Sequence, residues 1–345
     1  MSRRPSSSAA RSRRLLAPRR WTPPTALPDG GRTGRTAPLD TARRLPTGGS
    51  GPEDVVVDAT GQVLTGLADG TVLRIDPVTG NRSVLSRTGG RPLGLEACPD
   101  GSVLVCDSDR GLLHVGVDGR VSVLADTVDG EPITFASNVV RAPDGTIWFT
   151  TSTSRWDLAH HLGDLFEHSC TGRLLRRDPD GTVTTVLRGL AFANGLVRAP
   201  DGSHLLVAET VRYRVLRHWL SGPRAGRTEP LVENLPGFPD NVSLGSTGLL
   251  WVALAAPRDP VLDRLLPLPG ILRTLVWNLP AALRPEATPV AWVTAFDLDG
   301  QLVHDLRSAG AGYRFVTSVA ERDGTLVVGS LVEHELLLVV RPARS

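Results

Sequence analysis

The chain alternates between short apolar runs and polar turns that end in glycine, with few stretches of helical period. That is the pattern of an all-β protein. One unit recurs: an extended apolar segment, a turn closing on Gly, then a second apolar strand. It reads PEDVVVDATG-QVLTG, PLGLEACPDG-SVLVC, FASNVVRAPDG-TIWFT, FANGLVRAPDG-SHLLVA, FPDNVSLGSTG-LLWVA and FVTSVAERDG-TLVVG. The turn glycines are Gly61, Gly101, Gly145, Gly202, Gly248 and Gly324, spaced by 40, 44, 57, 46 and 76 residues. Such spacings match four-stranded blades of roughly 40–50 residues carrying insertions. Second hairpins follow, as in GTVLRIDPVTG and GRLLRRDPDGT. The prediction is a six-bladed β-propeller with short helical cap insertions, forming one domain over residues 46–345.

The excess lengths place the insertions. Residues 154–169 lengthen the third blade and carry His160, His161 and His168. Residues 256–290 lengthen the fifth; their apolar residues are broken by prolines and by Arg264 and Arg273, too often to span a bilayer. Cap helices over one end of the channel are expected there, with membrane contact that does not span as the alternative.

Repeats allow positions to be superposed within the one chain. Eight residues before each turn glycine stand Glu53, Leu93, Ser137, Asn194, Asp240 and Val316. The innermost strands of a propeller line its channel, so these six residues are expected to ring the axis. Four of them bear oxygen, and two carboxylates with two neutral oxygens suit Ca²⁺ or another hard divalent cation. Asn138 and Asn241 follow by one residue and are expected to point either into the blades or toward the same site. The competing reading is a hydrogen-bonded polar ring that stitches the blades together with water.

Composition narrows the chemistry. All 38 cationic residues are Arg, so no Schiff base, phosphate-loop lysine or catalytic amine is available. The net charge of +2 divides into +9 over residues 1–44 and −7 over the remainder. No nucleic-acid partner is expected for the mildly acidic body. The leader, residues 1–45, is Arg- and Ser-rich without the apolar run of a secretory signal, and reads as disordered. A patch for nucleic acid or anionic lipid is the sharper alternative, and a cytoplasmic location is expected. Cys98, Cys106 and Cys170 are too few and irregular for a disulfide framework, although Cys98 and Cys106 could pair on facing strands. The sequons at Asn81 and Asn241 carry weight only on export. No GxSxG nucleophile motif occurs. Of the histidines, His168 alone is a candidate acid/base group, from an insertion that overhangs the channel.

The segments GPEDVVVD, TGGRPLGLE, FASNVVRAPDGTIWFTTSTSRW, GLAFANGLVRAPDG, VAETVRYRVLRHWLSGPRAG, NLPGFPDNVS and FVTSVAERDG resemble the strictosidine synthase-like branch of the gluconolactonase, regucalcin and paraoxonase group. The resemblance runs from about residue 46 to 340. It implies a divalent metal, usually calcium, in the channel, and lactonase or arylesterase activity in many members. Carried over singly, the family's ligands fall on Glu53, Asn194 and Asp240, with an Asn expected at the position of Ser137, one residue before Asn138. The condensing enzymes of this branch use a Glu near the start of the last inner strand, where this chain has Thr317.

The expected function is metal-dependent hydrolysis of lactones or related esters. Glu53, Asn194 and Asp240, with Ser137 or Asn138, would hold the cation, and Asp240 would help deprotonate the attacking water. Arg91 would orient the substrate or, equally, bond blade carbonyls. The alternatives are a non-catalytic binding propeller with a structural metal and a condensing or lyase enzyme.

Overall fold

The computed structural model describes residues 15–26, 36–37, 39–279, 288–308 and 312–343. Six sheets stand in a ring, as the repeat predicts. The first four blades are each four consecutive antiparallel strands; in the first these are Val55–Val57, Val63–Gly66, Thr71–Ile75 and Arg82–Arg87. The fifth blade comprises Gly237–Leu244, Leu250–Pro257, Ala291–Phe296 and Leu302–Ser308, with Thr36–Ala37 added in parallel along its outer edge. The sixth has only three consecutive strands, Val316–Arg322, Thr325–Ser330 and Glu335–Val340. Arg43–Pro46 supplies its fourth, antiparallel, with Arg44 opposite Leu337. One blade is thus completed from opposite ends of the chain, which closes the ring.

Apolar side chains fill the spaces between blades. Leu64 and Val72 of the first blade pack against Leu95, Val103, Val105 and Leu113 of the second. Trp251 and Val293 of the fifth meet Val319, Leu326 and Val328 of the sixth. The second strand of a blade is apolar on both faces because a neighbour covers each; Leu250–Ala256 is buried throughout.

The insertions form the cap expected of them. In the third blade, α1 (Leu162–Glu167) follows a short 3-10 turn at Leu158–His160. In the fifth, α2 (Pro260–Leu265) starts at Asp259, whose carboxylate accepts from the amides of Val261 and Leu262. It is followed by α3 (Gly270–Trp277), while residues 280–287 lie outside the described residues. Trp277 of α3 packs against Trp156 and Phe166, joining the two insertions. Among the described residues no helix is long and apolar enough to cross a membrane.

The leader departs from the disorder expected of it. Residues 1–14, 27–35 and 38 lie outside the described residues, but the remainder is placed by the fold. Leu15–Ala26 runs over the cap: Arg19 N donates to Glu167 O at 2.8 Å, Trp21 N to Leu266 O at 3.2 Å, and Arg258 reaches Pro24 O. Arg43–Pro46 belongs to the propeller, so its first strand precedes residue 46. The three cysteines are free, and Cys98 and Cys106 form no disulfide.

The sixth blade departs from the repeat at its first hairpin. In most blades the first hairpin has a longer turn, as at Ala142–Thr146, where Gly145 sits at φ 90°. In the sixth, Arg322 pairs directly with Thr325 across Asp323 and Gly324, at φ 51° and 79°, a two-residue turn. Eight residues back from Gly324 therefore falls one short, and Thr317, not Val316, is the ring member.

The inner strands approach closely at Gly195. A Cβ there would lie 2.6 Å from Asn241 Cα and 2.7 Å from Asp240 O, both on the next blade. Gly195→Ala should cost about 1–3 kcal/mol in urea unfolding, through backbone displacement at that blade interface. A stability within error of wild type would show that the strands yield without strain.

Candidate functional site

The innermost strands carry an irregularity at a shared place. Pairing slips between Pro92 and Leu95, Ala136 and Val139, Ala193 and Leu196, Pro239 and Val242, and Val316 and Ser318. In the first blade the corresponding pair, Glu53-Asp54, immediately precedes the strand at Val55. In the second to fifth blades the slip sets two residues in succession opposite one partner; in the sixth it sets out Thr317 alone, and Ser318 pairs with Gly329. The first members are Glu53, Leu93, Ser137, Asn194, Asp240 and Thr317; the second are Asp54, Gly94, Asn138, Gly195, Asn241 and Ser318.

The second set ties blade to blade. Asp54 Oδ2 accepts from Leu95 N at 2.8 Å, Asn138 Oδ1 from Leu196 N at 3.3 Å, and Ser318 Oγ from Val55 N at 3.2 Å. Leu95, Leu196 and Val55 are equivalent positions, so one clamp is used three times. At Gly94 and Gly195 the next blade's backbone comes close instead. Asn241 reaches across, donating to Glu53 Oε1 at 3.2 Å and accepting from Asn138 Nδ2 at 3.0 Å.

This division separates Ser137 from Asn138. The Asn138 amide spends its oxygen on Leu196 and its nitrogen on Asn241 and Asp54. Ser137, from the first set, donates to Asn194 Oδ1 at 2.9 Å. Glu53, Ser137, Asn194 and Asp240 are all buried, and Asp240 lies within hydrogen-bonding reach of Asn194. Glu53 Oε2 and Asp240 Oδ1 are buried with no hydrogen-bond partner. Orphaned carboxylate oxygens are costly, so they point to a positive occupant or a proton.

Electrostatics point the same way. Burial, reinforced by the charges of Asp240 and Asp54, pushes Glu53 well above the usual carboxylate range. Burial pushes Asp240 up to about 8, against a hydrogen bond from Asn194 and with the charge of Asp54 adding to the rise. Asp54 rises only to about 6, because hydrogen bonds from Ser318, Leu95 and Val55 offset its burial. Among the described residues no three His, Cys, Asp or Glu side chains come together to hold a metal. The available set is two carboxylates, one amide and one hydroxyl, all oxygen donors and suited to a hard divalent cation such as Ca²⁺.

Two residues upstream of the first set stand Gly51, Arg91, Phe135, Phe192, Phe238 and Phe315, which sequence reasoning missed apart from Arg91. Phe135, Phe192 and Phe315 have φ of 53°, 62° and 53°, a strained conformation for a bulky side chain. Backbone bonds hold them: Ser152 N donates to Phe135 O at 3.0 Å, Thr210 N to Phe192 O at 3.1 Å and Leu331 N to Phe315 O at 3.2 Å. Phe135 and Phe192 meet edge to face and pack with Leu93 and with Leu158 and Leu165 of the cap. The cap insertion therefore lies at this end of the channel. Arg91 is buried; it donates to Gly66 O at 3.4 Å and its charge acts on Glu53. Its carbonyl accepts from Ser108 N, so its backbone is held like that of the phenylalanines.

The other candidates fall away from this cluster. His168 is buried in the cap, stacked on Trp21 at 4.7 Å, with both ring nitrogens unpartnered. Burial, with the charges of Arg212, Arg273 and Arg19, lowers it to about 3, so it is neutral near pH 7 and a poor proton acceptor. His160 is exposed and bonded to Asp157. Asn241 is buried, so the folded chain offers no acceptor at that sequon. Thr317 donates to Glu53 O at 2.6 Å, and the sixth blade contributes no carboxylate to the first set.

The strictosidine synthase model matches residues 138–223, and the N-terminal model of strictosidine synthase-like proteins matches residues 37–75. Protein strictosidine synthase-like 13 of Arabidopsis thaliana is 35% identical over 291 residues, covering 74% of this chain and 72% of that protein. The chain belongs to the strictosidine synthase-like family. Among solved structures, the strictosidine synthase-like chain resembles a gluconolactonase of Xanthomonas campestris, with TM-score 0.64, 16% identity, and 95% and 97% of the two chains covered. A calcium-binding protein, regucalcin, from Agrobacterium tumefaciens gives TM-score 0.62 and 16% identity, covering 90% and 97%. At that identity these two establish the fold alone.

Asn138→Ala should cost about 2–3 kcal/mol in chemical denaturation, because it strands the buried amide of Leu196 and the side-chain oxygen of Asn241; Ser137→Ala should cost under about 1 kcal/mol. The reverse order would exchange their roles. The carboxylates give a pH signature. Asp240 holds its proton more tightly folded than unfolded, so its contribution is complete below the ordinary value of 3.8 and is lost as pH rises through about 8. The melting temperature of metal-free protein should fall between about pH 4 and 8, and fall less in Asp240→Asn. Identical profiles for the two proteins would contradict the assignment.

Proposed function

We propose that this chain hydrolyses lactones or related esters with a divalent cation, Ca²⁺ foremost, held by Glu53, Ser137, Asn194 and Asp240. The observation that carries the reading is the pair of unpartnered buried oxygens, Glu53 Oε2 and Asp240 Oδ1, beside the amide of Asn194. The fold neighbours named as a gluconolactonase and as a calcium-binding regucalcin support it. When bound, the cation would supply Lewis-acid polarisation of a carbonyl oxygen.

The side chains account for the remaining chemistry. Asp240 would take the proton of an attacking water through its carboxylate, which the charge of a bound cation would keep ionised against the effect of burial. The water oxygen bonds to the carbonyl carbon, the carbon–oxygen bond to the leaving group breaks, and the proton passes to that alkoxide. Ser137 and Asn241 orient Asn194 and Glu53 by direct hydrogen bonds. Arg91 presents a guanidinium to a polar part of the substrate, and Phe135 and Phe192 give its apolar part a dry wall. With Thr317 in place of a carboxylate on the sixth blade, condensation of an amine with an aldehyde is not favoured.

A second reading, a binding propeller with a structural cation, is favoured by the bonds that tie Glu53 and Asn241 into the blade contacts. A panel of lactones and aryl esters separates the two. Hydrolysis that is lost on chelation and falls at least about 100-fold in kcat/KM in folded Asp240→Asn is the expected result. Cation binding that raises the melting temperature without turnover would establish the structural role. Full turnover by chelated protein would remove the cation from the mechanism.

A further inference from the structure

The cap helix α3 is inside out. Its buried face carries Arg273, which is fully enclosed, and Trp277. Its outer face carries Ile271, Leu272 and Leu275, where Ile271 is 64% and Leu275 60% exposed, and the flanking Leu268 and Leu279 are exposed as well. At about 100° per residue the three helical positions fall within one stripe roughly 100° wide. Arg273 fixes that orientation: it donates to Phe166 O at 2.9 Å, Glu167 O at 3.5 Å and Arg19 O at 2.7 Å. Two of these carbonyls end α1, where a cation is favoured, so rotation that buried the leucines would break all three bonds.

A helix whose apolar stripe faces outward while its arginine is locked inward is built to meet an apolar phase. Charge names the partner. Arg19, Arg20 and Arg264 are exposed on the same cap, and Arg19 is joined through its own carbonyl to Arg273 of α3. The fourteen residues continuous with Leu15 contain five arginines and no acid. Leucines flanked by arginines suit the boundary of an anionic bilayer, where acyl chains lie beneath negative headgroups. We propose that the outer face of α3 docks this protein peripherally on an anionic lipid surface. The cap packs on Leu93, Phe135 and Phe192 through Leu158 and Leu165, so docking sets the channel beside the lipid.

The test is flotation of the full-length protein with phosphatidylcholine vesicles, with and without about 30% phosphatidylglycerol. Two double variants are compared, I271E/L275E and I271S/L275S; the serine pair removes apolar surface without adding charge. The expected result is binding to the anionic vesicles that falls at least about ten-fold in each folded variant. Undiminished binding by both variants would assign adsorption to the arginines alone and overturn the docking face. Failure of the wild type to float with either vesicle would overturn it too. A wild-type dimer that the serine pair converts to monomer, with no flotation, would give the face to a second copy of the chain.

Discussion

Asp54 holds three blades at once. One carboxylate oxygen accepts from the Ser318 hydroxyl and from the amide of Val55; the other accepts from Leu95 N on the second blade. Six strands converging on an axis would leave amides facing one another with no sheet partner. A ring of side chains bonding forward to the next blade resolves that conflict, and Asp54, Asn138 and Ser318 do so at equivalent positions. Glycine occupies the intervening positions at Gly94 and Gly195, where the next backbone takes up the space directly. The channel chemistry rests on this arrangement, because each clamp residue directly follows a member of the first set: Glu53 precedes Asp54, Ser137 precedes Asn138 and Thr317 precedes Ser318.

The clamp has an electrostatic consequence. Asp54 must be buried to reach three blades, and its charge then raises the cost of ionising Glu53 and Asp240. Hydrogen bonds satisfy Asp54, whereas one oxygen on each of the other two is left without a partner. Stability and reactivity are thus divided between neighbouring carboxylates by the number of donors each receives. The cost of leaving two oxygens unsatisfied is met by the rest of the propeller, whose blade interfaces bury apolar side chains on both faces.

The repeat made the architecture and most of the ring legible, because turn glycines and apolar runs are local signals with a fixed spacing. The reading slipped by one at Val316 because a two-residue turn is shorter than its counterparts, a difference that periodicity alone conceals. Ser137 and Asn138 stayed ambiguous because both bear oxygen; only the partner on the next strand, Leu196 N, distinguishes clamp from channel. The phenylalanine set was countable at ten residues before most turn glycines, but nothing in composition marks a Phe at positive φ. Leu15–Ala26 carried no periodic signal at all. A weakly apolar, arginine-rich segment without a strand pattern reads as disorder unless the surface that receives it is known.

That receiving surface gives the absence of lysine a structural meaning. Arg273 bonds carbonyls on α1 and on the leader, while Arg258 bonds Asp263 of α2, Asn234 and the leader carbonyl of Pro24. Each guanidinium joins three separate segments from a largely buried position. A planar fork with five donors reaches diverging carbonyls while staying charged; an ammonium offers a compact point that loses its proton more readily when enclosed. The cap is held by cations that do not titrate, and the channel's proton chemistry falls to carboxylates that do. That separation lets Asp240 change its protonation without loosening the insertions above it.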